Sequence, residues 1–233
     1  MNNQLDITFI LVEPSLPENI GASARALKNM GFTKLTIINS DKHLAKEASW
    51  LAHGSKDVLM KAKILDNIHE VKKNFDFIIG TTSKKRSIAY DYYPVYMLKE
   101  VLIKKRNMIK NVCLLFGREN SGLTNEELKI CDMITSIPVA EAYPSLNLSH
   151  AVLLYAYELS SLKNNFEKIV NEKTSGINYK ILRLKLEKIL HDLNFRKDSS
   201  IYNRIMERFM ICQKDDFNLI NSICNRYIEK NKL

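Results

Sequence analysis

A chain of 233 residues, 45% hydrophobic and 26% charged, has the composition of an ordinary globular protein, enough for one large domain or a domain with an appendage. No apolar run approaches the length of a membrane span and residues 1–6 lack a signal-peptide pattern, so a cytosolic protein is expected. Four scattered cysteines without C-x-x-C spacing and five dispersed histidines predict reduced core thiols and neither a disulfide frame nor a metal site. The net charge of +9 is uneven, because residues 1–159 carry 20 Lys+Arg against 17 Asp+Glu and residues 160–233 carry 15 against 9. Such a basic tail suits a polyanionic partner, nucleic acid first, although solvated lysine-rich helices give the same count.

In chain order, the β-branched run DITFILV at residues 6–12 reads as a buried first strand. Two prolines make 13–18 a rigid turn. Asn19 then stands as an N-cap for a helix through residue 30, with Gly31 as its left-handed stop. The first turn of that helix is built from Gly21, Ala22 and Ser23, which lets it lie close to another backbone or to a ligand. Arg25 is the exception among them, either solvated or aimed at a phosphate or a reacting oxygen.

Residues 34–38 form the second strand. A helix is expected over 41–54 with Trp50 in the core, a short strand at 63–65 and a helix over 67–74. The strand FDFIIG at 75–80 runs into Thr81, Thr82 and Ser83 and then a basic cluster, a composition suited to a nucleotide beside a nucleic-acid backbone. Residues 94–105 read as a helix with Pro94 in its first turn. Strands alternating with helices predict an α/β fold with a mostly parallel sheet covered on both faces.

Two further apolar runs, 112–116 and 133–139, each end in a polar loop: Gly117-Arg118-Glu119-Asn120-Ser121-Gly122 and Glu141-Ala142-Tyr143-Pro144-Ser145-Leu146-Asn147. Loops at the carboxyl ends of neighbouring strands are where open α/β sheets place ligands. Seven glycines serve the whole chain and two fall in the first loop, a scarcity that points to positional need, and close ligand approach and an ordinary strand–turn–helix stay equally open. A long apolar helix follows from residue 148. Residues 164–178 read as a linker, and 179–193, 201–211 and 217–228 as a basic helical extension. The expected division is thus 1–163, 164–178 and 179–233.

Taken together, N-I-G-A-S-A-R-A-L-K-N-M-G at 19–31, F-G-R-E-N-S-G-L-T-N-E-E-L at 116–128 and S-L-N-L at 145–148 resemble the SPOUT RNA methyltransferases of the TrmH family, specifically its TrmJ-type tRNA 2′-O-methyltransferases. The likeness spans residues 5–160, and more loosely the tail. It implies a trefoil knot at the carboxyl-terminal end of the α/β domain, S-adenosylmethionine held in that knot, and a homodimer. No G-x-G-x-x-G follows the first strand, where a Rossmann-type site would want one. By the same resemblance Asn19, Arg25, Glu119, Ser145 and Asn147 form the catalytic set. Thr81, Thr82, Ser83, Gly117, Ile137, Pro144, Ser145 and Leu146 would line the cofactor site. Pro144, where the family often has Ser, lacks an amide donor.

The implied activity is methylation of a tRNA ribose, at the first nucleotide of the anticodon loop (position 32), on cytidine, uridine or both. Ribosomal RNA as substrate, a non-catalytic RNA-binding module, and a small-molecule α/β enzyme are the rival readings. The intact polar set speaks against the second, and the basic tail against the third.

Overall fold

In the computed structural model, the described residues are 5–83, 91–140, 145–164, 178–212 and 214–231. Seven strands form one sheet in the order β3-β2-β1-β6-β4-β7-β5, and every pairing is parallel. They are β1 (Asp6–Val12), β2 (Leu35–Ile38), β3 (Lys63–Leu65), β4 (Phe77–Thr81), β5 (Tyr92–Pro94), β6 (Asn111–Phe116) and β7 (Met133–Ser136). The central strands are continuous apolar runs because both faces are covered. Alternation sends Phe9 and Leu11 to one core cluster and Ile10 and Val12 to the other.

Helix α1 (Pro17–Asn29) packs on the first face against α2 (Lys46–Leu51) and α7 (Leu148–Asn164), with α3 (Lys56–Met60) alongside. A Cβ on Gly21 would lie 2.1 Å from the Ala48 carbonyl oxygen, so the small first turn serves a neighbouring backbone. The helix starts earlier than the sequence suggests. Leu16 is its N-cap and Pro17 its first residue, which leaves Asn19 buried inside the first turn and free to bond elsewhere. Gly31 takes φ +78° after the helix, as expected.

Other local expectations shift. The helix read over 41–54 is a 3₁₀ turn at Lys42–Leu44 followed by α2 and then α3. Trp50 is 66% exposed, not core. Pro94 closes edge strand β5, a place that tolerates a residue without an amide donor, and α5 begins only at Leu98–Lys105. On the second face lie α4 (His69–Asn74) and α6 (Asn125–Lys129), the latter opened by a capping box between Thr124 and Glu127.

The tail helices α8 (Tyr179–Asp192), α9 (Ser200–Ile211) and α10 (Lys214–Asn231) share the core of the sheet. Tyr179 packs edge-on against Phe77 and stacks on Phe209. Arg183 pairs with the buried Asp132, and Glu207 accepts the Asp91 amide at 2.7 Å. Lys105 is 1% exposed, with Nζ 4.6 Å from the Tyr179 ring centroid and 4.5 Å from that of Phe217. No described helix is long and apolar enough to cross a membrane, and among the described residues no group of His, Cys, Asp or Glu could hold a metal.

Candidate active site

At the carboxyl edge of the sheet, the ends of β4, β6 and β7 and the start of α7 surround a cavity of about 580 Å³. Its described lining includes Thr81, Thr82, Ser83, Gly117, Glu119, Ile137, Ser145 and Leu146, eight of the residues singled out from sequence. Pro144 lies outside the described residues. The size falls within the few hundred to 1,000 Å³ typical of small-ligand sites. The lining combines hydroxyls and a carboxylate with apolar Ile137, Val139 and Leu146, a mixture that suits a ligand with both apolar and polar parts.

The wall from 117 to 122 is a tight loop. Gly122 donates its amide to the Arg118 carbonyl at 2.8 Å. A Cβ on Gly117 would stand 2.1 Å from the Gly122 carbonyl carbon and 2.2 Å from the Leu123 nitrogen. Glycine is therefore needed at 117 for closure of the loop itself.

Glu119 gathers the first motif onto this loop. Its carboxylate accepts from the Ser15 amide (2.9 Å), the Ser15 hydroxyl (2.8 Å), the Leu16 amide (3.2 Å) and Asn19 Nδ2 (3.0 Å). Burial raises its pKa, but the bonds from Asn19 and Ser15 outweigh that and hold it below the usual carboxylate range. Asn19 Oδ1 in turn accepts from Asn147 Nδ2 at 2.8 Å, and Asn147 Oδ1 accepts the Ser149 amide and hydroxyl at 2.8 and 2.7 Å. One polar path thus joins three stretches far apart in sequence. Its members are largely used up by each other, so they hold the site's shape.

Two members of the expected set stand apart. Ser145 is exposed at the rim and has no hydrogen bond to a described residue. Arg25 is exposed and does not line the cavity, and its guanidinium has no hydrogen-bond or ion-pair partner among the described residues. Six residues beyond Asn19, it sits about 9 Å further along α1 and on another side of the helix.

Sequence reading missed the residue beside Glu119. Arg118 Nε donates to Glu13 at 2.7 Å, while Nη1 and Nη2 make a two-pronged pair with Glu127 at 3.0 Å each. The hydrogen bond from Arg118, then that from Asn39, lowers the Glu13 pKa; the two carboxylates raise that of Arg118. Arg118 and Glu119 therefore fasten the cavity loop to residues 13–19 from both sides. The T-x-x-E capping pattern at 124–127 was the available signal that an acid is held here. Nothing in sequence says that it faces Arg118. Tyr155, which lines the cavity and shares a 2.8 Å hydrogen bond with Thr135, was likewise hidden within an apolar helix.

A parallel sheet with a ligand cavity and convergent polar loops at its carboxyl edge defines an α/β enzyme architecture. The SpoU rRNA Methylase family model matches residues 6–157, and the chain belongs to that family. It is 36% identical to the uncharacterized tRNA/rRNA methyltransferase LasT of Escherichia coli over 226 residues, covering 97% of this chain and 98% of that one. It is 31% identical to the tRNA (cytidine-2′-O-)-methyltransferase TrmJ of Methanocaldococcus jannaschii over 225 residues, covering 93% and 97%. Among solved structures, a probable methylase family protein from Haemophilus influenzae superimposes with a TM-score of 0.69 at 26% identity, covering 98% of both chains.

Proposed function

We propose that the protein is an S-adenosylmethionine-dependent tRNA ribose 2′-O-methyltransferase acting on the first nucleotide of the anticodon loop. The observation that carries this reading is the polar path Glu119–Asn19–Asn147 set beside the cavity at the ends of β4, β6 and β7. The methyltransferase names of relatives matched over nearly the whole chain support it. A SpoU methyltransferase solved with AdoMet shares the fold.

The cavity's volume and mixed lining fit S-adenosylmethionine. Thr81, Thr82, Ser83, Gly117, Ile137, Pro144, Ser145 and Leu146 would hold it, within a trefoil knot formed by the carboxyl-terminal part of the α/β domain. When bound, it supplies the electrophilic methyl group. Transfer to a ribose hydroxyl is an in-line displacement, so orientation is the protein's main contribution, up to about 7–11 kcal/mol of the barrier. Glu119, through Asn19 and Asn147, fixes the angle between the cofactor loop and α1. Ser145 at the rim relays the 2′-hydroxyl proton outward, directly or through water. Arg25 holds a phosphate and steadies alkoxide charge, a guanidinium having donors but no acceptor with which to serve as a free base.

Because Arg25 is exposed and does not line the cavity of its own chain, we place it at the cavity of a second copy in a homodimer. Residues 1–163 would then form the catalytic domain, and the basic helices of 179–233 would extend its RNA contact beyond the 164–178 linker.

Titrating S-adenosylmethionine into the protein tests the cofactor directly. Saturable heat is expected. A folded protein giving none would be an RNA-binding module on a methyltransferase fold.

A further inference from the structure

We propose that the amino-terminal edge of the sheet carries a second, phosphate-binding groove that holds RNA backbone far from the methylated nucleotide. The inference rests on the RNA-substrate reading and adds a place of contact to it. A cavity of about 620 Å³ opens there, at the starts of β1, β2, β3 and β6. Its described lining includes Asp6, Thr8, Lys34, Thr36, Lys61 and Lys63.

Two features give the groove its chemistry. Thr8 and Thr36 are 7% and 3% exposed, and alternation puts them on the sheet face of Ile10, Val12 and Ile38. Hydroxyls therefore stand where methyl groups would at this end of the face. The charges are also unbalanced. Asp6 is paired with Lys34, and Asp57, also in the lining, with Lys28 at 2.6 Å. Lys61 and Lys63 are exposed, and their ammonium groups have no hydrogen-bond or ion-pair partner among the described residues. Both aspartates are neutralised, and two ammonium groups remain to meet an anion.

Hydroxyl donors beside unpaired ammonium groups suit a phosphate, and lysine point charges read phosphate without reading sequence. The strand β1 runs seven residues from this edge to the catalytic edge, a span of roughly 20 Å. A mononucleotide cannot occupy both ends. A folded RNA whose backbone crosses the sheet edge-to-edge can.

The test is the Lys61→Gln/Lys63→Gln double variant of the full chain, both residues being exposed and outside the catalytic cavity. Binding of unmodified tRNA should weaken about tenfold, and the slope of log affinity against log salt should fall by roughly two contacts' worth. S-adenosylmethionine binding, and methylation of an isolated anticodon stem–loop, should stay unchanged. Unaltered tRNA affinity and salt slope would overturn the groove. So would loss of stabilisation by inorganic phosphate with tRNA binding intact, which would make it a free-anion site. A wild-type chain that binds no RNA at all would overturn the RNA reading and the groove with it.

Discussion

Asn147 donates to Asn19 at 2.8 Å, and the same Asn19 donates to Glu119 at 3.0 Å, so a residue at the start of α7 is coupled to the β6 loop through the first turn of α1. Glu119→Gln puts an amide where four donors converge. It should lower stability by about 1–3 kcal/mol and kcat by about 10²-fold through misplacement of the reacting groups. Its pKa sits below the usual range, so this stabilisation is complete above the ordinary carboxylate pKa and lost as pH falls through the lower folded value. Thermal scans from pH 7 down to pH 3 should show a flatter profile for Glu119→Gln. An unchanged acid profile would mean that the carboxylate contributes nothing to the loop.

Gly117 separates two explanations of the cavity wall. If glycine serves only to leave space for the cofactor, Gly117→Val blocks binding and Gly117→Ala is mild. The 2.1 Å approach of a Cβ to Gly122 says instead that alanine already opens the loop. Gly117→Ala should therefore weaken S-adenosylmethionine binding tenfold or more and lower Tm. Near-normal binding by the alanine variant would return the glycine to a purely volumetric role.

The sheet was legible from composition alone in its central strands, because runs such as DITFILV and NVCLLF are buried on both faces and have no other use. Edge strand β5 was not, since Pro94 carries the same signature at a helix start as at a strand end. The site was legible only as loops and types. Gly117, Glu119 and Asn147 each drew notice, but the bond from Asn147 to Asn19 spans 128 positions and no local pattern encodes it. Asn19 itself looked like an N-cap because Asn favours that place. The proline at 17 starts the helix first and frees the side chain for Glu119.

Lys105 gives the tail a pH dependence. Desolvation lowers its pKa to about 7, and of the charged or titratable groups near it, Cys212 acts to raise it. The unfolded chain keeps this proton up to about pH 10.4. Unfolding above pH 7 therefore takes up a proton, and stability rises with pH, by about 2 kcal/mol between pH 7 and 8.5. The buried thiols Cys113 and Cys131, with raised pKa values, act in the opposite sense at higher pH, which sets the upper limit of the window. Lys105→Met should abolish that rise in denaturant melts. A variant that keeps the wild-type slope would assign the pH dependence elsewhere.

Arg25 is exposed and does not line the cavity of its own chain, and the homodimer reading therefore predicts active sites shared between subunits. Arg25→Ala and Asn147→Ala should each be nearly inactive alone. Refolded together, about half the dimers would be mixed on random two-fold pairing, each with one intact site, and about a quarter of wild-type activity should return. If mass measurement finds mixed dimers and activity stays at the parental level, Arg25 works within its own chain.

The most direct measurement is to incubate the protein with unmodified tRNA and S-adenosylmethionine and map ribose methylation at nucleotide resolution. A single 2′-O-methyl group at the first position of the anticodon loop is expected, absent with Arg25→Ala. Methylation of a base, of ribosomal RNA in preference to tRNA, or of neither would contradict the assignment.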